Sequence, residues 1–308
     1  MKSLLKNKWK LAMITLFILI PVFAICLISR DIKPTYIPFL KRNESYTGEL
    51  KKPEVIFEYS SPADSNLADL RERYNLDSIA GNGSETERII NLMEWVHSIS
   101  NHANNPAWPK TMNAHNLIDL CLTEKKSINC FMYSTILNEV YLSMGYYSRF
   151  VHLWYTRTGE SHVVTAVYSE SLGKWIMMDA DFGTFLTDEN GNILGIPEIR
   201  HRIINKEKMH VSDNMEVAGS GITKFLGKIF GVDNIYSWYL SKNIFRYSTP
   251  LRSVYDIQSD RTADIIYLIP TNYISKVNPY PKHRETERYD LYYTDDEEFF
   301  WQKPVSLN

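Results

Sequence analysis

The sequence predicts an α+β domain, helices first and an antiparallel sheet after them, behind one N-terminal transmembrane helix. Three observations carry this. An uncharged apolar run occupies residues 11–29, behind Lys2, Lys6, Lys8 and Lys10. Between residues 84 and 144 the apolar residues recur mostly three and four apart, the helical period. From Ser148 the period changes to two, in SRFVHLWY, HVVTAVYS and KWIMMDAD, with the turn-like segments TRTGE and ESLG between them. Helices followed by antiparallel strands define the α+β class.

The apolar run is about the length that crosses a bilayer. It exceeds the apolar stretch of about 7–15 residues found in cleaved signal peptides, and no A-x-A site follows it. An uncleaved signal anchor is therefore expected, and Pro21 is tolerable inside a membrane helix. The lysines ahead of the span predict a cytoplasmic N-terminus, which puts the chain after residue 30 outside the cytoplasm. Cys26 lies in the span, behind Phe23, Ala24 and Ile25, where a lipoprotein box would need a small residue beside the cysteine.

Residues 1–30 thus read as cytoplasmic tail and anchor. Residues 31–82, with Pro34, Pro38, Pro53 and Pro62, read as a juxtamembrane stalk ending in a small element around Leu67 to Tyr74. After Gly81, Asn82 and Gly83, the pair Ser84 and Glu87 forms a capping-box pattern ahead of Ile89, Ile90, Met93, Val96 and Ile99. A second helix is expected from about Asn113, with Leu117, Leu120 and Cys121 on one face. The third begins at Cys130 and carries Phe131, Ile136, Leu137, Val140, Tyr141 and Met144, with Gly145 as its stop. The core so outlined covers residues 83–200. Residues 201–308 form a C-terminal elaboration or accessory domain, with a helix through Tyr236 to Phe245 and a strand-like run ADIIYLIP.

The chain of 308 residues is 44% hydrophobic and 23% charged, with a net charge of -2, enough apolar material for a sizeable core. No Lys/Arg block follows the N-terminus, so a nucleic-acid partner is not expected. Two cysteines, Cys121 and Cys130, remain beyond the span and make no disulfide framework, although a single bridge between them is open to an exported chain.

Cys130 sits in the first turn of its helix, where the dipole and the unpaired N–H groups favour a thiolate and could stabilise an oxyanion. A base is still required. If HVVTAVYS and KWIMMDAD pair across the turn at Glu170 to Gly173, Ser169 faces Lys174 and Val164 faces Asp179. His162 and Asp179 then become diagonal neighbours on one face. A one-residue slip would part them. The plainer alternative is a packed thiol and a satisfied histidine. The same three donor types could bind a metal, but no HxxxH or CxxC spacing accompanies them, so no metal or other cofactor is expected.

The order Cys130 in NCFMYSTILNEVYLSMGYYSRFV, then His162 and Asp179 in SHVVTAVYSESLGKWIMMDA, closely resembles the transglutaminase-like superfamily over roughly residues 85 to 195. The resemblance implies a papain-like fold and a catalytic triad with Cys130 as nucleophile, His162 as general base and then acid, and Asp179 as orienting carboxylate. Ala180 departs from the usual proline after the aspartate. The second oxyanion donor stays unassigned among Trp95, Trp108 and Asn116. Such a triad supports acyl transfer on an amide, with hydrolysis placed ahead of transamidation and a peptide, protein or cell-envelope substrate outside the cytoplasm. A membrane-tethered binding module with a vestigial triad is the alternative. His97, His102, His115, His152, His201 and His210 read as structural or surface residues.

Overall fold

The computed structural model describes residues 36–50, 52–155, 161–212, 231–260, 263–276 and 290–305. The expected membrane span at residues 11–29, the TRTGE turn and most of the Gly-punctuated segment before Val232 lie outside these residues. Among the described residues, no helix is long and apolar enough to cross a membrane.

The strands are β1 (Glu58–Tyr59), β2 (Ser148–Trp154), β3 (Ser161–Ser169), β4 (Lys174–Met178), β5 (Leu186–Thr187), β6 (His210–Val211), β7 (Arg246–Pro250), β8 (Arg252–Ser253), β9 (Ile265–Leu268) and β10 (Leu291–Thr294). Six of them form one sheet in the order β10-β9-β7-β2-β3-β4. Strands β2, β3 and β4 pair antiparallel in succession, as the period-two pattern and its turns predict, and β7 and β9 join the sheet antiparallel as well. The expected antiparallel sheet is corrected at one edge, where β10 runs parallel to β9 and makes the sheet mixed. A parallel neighbour requires a crossover of a dozen residues or more, and the long connection from Ile269 to Asp290 supplies it.

Helices cover both faces. On one face lie the helices Ser65–Arg73, Leu76–Ala80, Glu85–Ser98, Ala114–Leu122 and Cys130–Ser143, whose Leu67, Leu70, Ile89, Met93, Leu117, Ile136 and Val140 pack with Val167, Ile176 and Met178 of the sheet. The second face carries Val164, Ala166, Tyr168, Trp175 and Met177, covered by Ile199 and Ile203 of helix Ile196–Asn205 and by Tyr236 and Leu240 of helix Val232–Asn243. Successive strand residues alternate between these cores because strand side chains alternate by two.

Local chemistry fixes the helix starts. Ser84 and Glu87 make the reciprocal capping box. Asn113 caps its helix through Asn116 N, and Asn129 caps the Cys130 helix by accepting from Met132 N at 3.2 Å. Asn129 thereby makes Cys130 the first helical residue. Gly145, at φ 82°, follows the other end of that helix in the left-handed conformation a glycine accepts without strain.

Candidate active site

The hairpin β3–β4 sets the first half of the site. Ser169 pairs with Lys174 and Thr165 with Met178, the register expected from the turn. His162 therefore shares the face of Val164 and Ala166, and Asp179 that of Trp175 and Met177. The two side chains meet, with His162 Nε2 2.6 Å from Asp179 Oδ2. Both are buried, at 1% and 0% exposure.

Four groups hold the Asp179 carboxylate. Oδ2 also accepts the Tyr236 hydroxyl at 2.6 Å, and Oδ1 accepts the backbone N–H groups of Asp181 and Phe182 at 3.1 and 3.2 Å. A buried carboxylate satisfied in this way stays an acceptor and fixes which imidazole nitrogen faces it. With Nε2 so engaged, Nδ1 of His162 is the ring atom left for the thiol.

Cys130 is a partly exposed free thiol, and its Sγ, an imidazole nitrogen of His162 and a carboxylate oxygen of Asp181 all lie within 4.8 Å of one another. This is charge-coupling distance, and catalytic contacts are often this loose before substrate binds. Burial is the largest influence on His162 and favours the neutral ring, but the Asp179 charge and hydrogen bond, with Tyr239 and Cys130, hold its pKa well above the ordinary 6.5. Tyr239 and Phe182 wall the ring edge-on, at centroid distances of 5.2 and 5.6 Å.

A second histidine–carboxylate pair faces the same thiol. His102 Nδ1 lies 2.7 Å from Asp181 Oδ1, and its Nε2 lies 3.0 Å from Asn104 Oδ1. The hydrogen bond to Asp181 raises the His102 pKa to about 9, against partial burial and with help from the Asp181, Asn104 and Cys130 neighbours. Backbone bonds from Ala103 N to Ile128 O and from Ile128 N to Asn101 O tie this loop to the approach of the Cys130 helix. The reading of His102 as structural or surface thus missed its place beside the nucleophile. Asp181 was missed as well, and its one signal was the repeated carboxylate in Asp179-Ala180-Asp181. Tyr236 gave no signal beyond a place on an expected helix.

The remaining candidates have other work. Asn116 Nδ2 donates to Thr111 O, Trp95 packs against Tyr74, and exposed Trp108 packs edge-on against Phe131. Of the three proposed oxyanion donors, Trp108 is the one in ring contact with the residue next to Cys130. His97 donates from Nδ1 to Ala180 O, which braces the turn after Asp179. His115 bridges Tyr255 and Asp69. Cys121 is buried and free, so the alternative bridge to Cys130 is not formed.

Residues 73–180, about a third of the chain, match the family model described as the Transglutaminase-like superfamily. The matched segment contains Cys130, His162 and Asp179, and it ends one residue before Asp181. No curated protein matches the chain. Among solved structures, the chain is similar to a protein from Cytophaga hutchinsonii described as a cysteine-protease candidate, at 14% identity and a TM-score of 0.31, over 47% of this chain and 50% of that one. This chain therefore covers half the length of that relative. LapG from Legionella pneumophila aligns at 12% identity and a TM-score of 0.29, over 44% of this chain and 75% of that one. An EGTA-treated LapG structure aligns at 12% and 0.31, over 60% and 97%.

Proposed function

We propose that the protein is a cysteine acyl-transfer enzyme acting on amide bonds, with Cys130 as nucleophile, His162 as proton carrier and Asp179 as the carboxylate that orients it. The observation that carries this reading is the polarity of His162. Its Nε2 is held by Asp179, which leaves Nδ1 for the Cys130 thiol, the ring's other hydrogen-bonding neighbour. An imidazole so divided can hold a thiolate as its ion-pair partner and then deliver a proton.

The reaction follows from that arrangement. The Cys130 thiolate attacks the amide carbonyl, and a carbon–sulfur bond forms as the carbonyl oxygen takes the negative charge. The backbone N–H groups of Cys130 and Phe131 at the start of the helix are the donors we assign to that charge, since Met132 N–H is taken by Asn129. As the carbon–nitrogen bond breaks, His162 gives its Nδ1 proton to the leaving amine and a thioester remains. Water or a second amine then attacks, His162 takes its proton, and Cys130 is released. Water gives hydrolysis, which we place first, and an amine gives transamidation.

The lysine-flanked apolar run at residues 11–29 supports a membrane-anchored protein working outside the cytoplasm on a peptide or envelope substrate. The test is labelling of Cys130 by a peptide-like electrophile, followed by screening of envelope peptides for amine release. Labelling and turnover lost in Cys130→Ser and His162→Ala support the reading. Turnover that survives Cys130→Ser removes it.

A further inference from the structure

The front of the nucleophile carries one donor more than acyl transfer needs. Sulfur of Cys130, imidazole nitrogen of His162 and carboxylate oxygen of Asp181 converge within 4.8 Å. Thiolate, neutral imidazole and carboxylate are three of the ligand types that zinc accepts, and three protein ligands with a fourth position open is the arrangement of an exchangeable zinc site. Calcium and magnesium require oxygen ligands in larger number, so this set selects against them.

His162 is only 1% exposed and Cys130 is its neighbour on the side away from Asp179, so a cation held between them would be largely shielded from water. The outer contacts of a metal site are also in place. A metal-binding histidine usually gives its other N–H to a carboxylate, as His162 Nε2 does to Asp179. Metal-binding carboxylates are themselves hydrogen-bonded, and Asp181 Oδ1 receives Nδ1–H of His102, which leaves Oδ2 for a cation. Cys130 is partly exposed, which gives an ion its way in.

We propose that Zn2+ binds Cys130 Sγ, His162 Nδ1 and Asp181 Oδ2 and silences the thiol, so that Asp181 converts the nucleophile–base pair into an inhibitory metal site. On binding, the thiol proton passes to solvent, a sulfur–zinc bond forms and no oxidation state changes. Both groups needed for attack and proton transfer are then occupied. The word inhibitory rests on the proposed function. The binding does not.

The experiment uses the full chain, purified in detergent, with Cys26→Ser and Cys121→Ser so that Cys130 is its one thiol. Cobalt(II) serves as the spectroscopic probe, and Zn2+ as competitor against iodoacetamide. The expected result is one Co2+ per chain with a thiolate-to-cobalt charge-transfer band, loss of that band on adding Zn2+, and protection of Cys130 that EDTA reverses and Ca2+ does not reproduce. Asp181→Asn, which replaces a direct ligand, should weaken metal binding by more than the about 10–100-fold lost when only a supporting contact is cut. No band and no protection would overturn the site. An unchanged affinity in Asp181→Asn would overturn the three-ligand assignment. A band in a protein whose alkylation proves independent of His162 would uphold the metal site and remove the acyl-transfer reading instead.

Discussion

The Tyr236 hydroxyl donates to the same Asp179 oxygen that faces Nε2 of His162, each at 2.6 Å, so a helix beyond the family-matched segment completes the buried carboxylate. Tyr236→Phe keeps the ring and removes one hydrogen bond to a charged acceptor, a loss of about 1–3 kcal/mol. Urea unfolding should show a destabilisation of that size. Cys130 alkylation at pH 6 should also slow, because Asp179 is held less firmly behind His162. Wild-type unfolding and alkylation together would remove the role given to this hydroxyl.

Asp179→Ala strips four donors of their acceptor at once: His162, Tyr236 and the N–H groups of Asp181 and Phe182. Breaking a buried charged pair from one side costs about 3–5 kcal/mol. Thermal unfolding should show this loss, together with the disappearance of thiol activation.

Much of this site was legible in the sequence. The tight turn after Ser169 fixed the β3–β4 register, and the register fixed His162 against Asp179. The apolar period behind Cys130, closed by Gly145, placed the thiol in the first turn of a helix. His102 and Asp181 were not legible, because their contact joins two loops 79 residues apart that no period describes. Tyr236 reaches Asp179 across 57 residues for the same reason, and the parallel β9–β10 pair depends on a long connection that sets no register in advance.

Gly183 should resist substitution more than Gly173 does. Both have positive φ, 60° and 66°, but a Cβ on Gly183 would lie 2.6 Å from the His97 ring while one on Gly173 meets nothing within 4 Å. Gly173→Ala should cost the left-handed penalty alone, about 1–2 kcal/mol. Gly183→Ala should cost more and displace His97 from Ala180 O, which a difference in melting temperature between the two variants would reveal. Equal melting temperatures would contradict the bracing role of His97.

Glu139 predicts a stability change with pH. Burial raises its pKa from 4.5 to about 8, although it accepts from the backbone N–H groups of Ala114 and Asp256. A carboxyl with a raised folded pKa binds its proton more tightly in the native state. Its contribution is therefore fully present below about pH 4.5 and is lost as pH rises through about 8. Unfolding free energy should fall across that window by a few kcal/mol from this group. Glu139→Gln should lack that fall and start from a lower stability, since its amide sets a donor against a backbone N–H. Parallel profiles for the two proteins would contradict the assignment.

The central claim is that His162 activates Cys130, and the rate of Cys130 alkylation by iodoacetamide across pH tests it most directly, in the full chain with Cys26→Ser and Cys121→Ser. The account predicts reaction persisting well below the free-thiol pKa of about 8.5, and loss of that low-pH limb in His162→Ala. A thiol that reacts only above about 8.5 in both proteins would contradict it, and would leave a scaffold that binds without cutting.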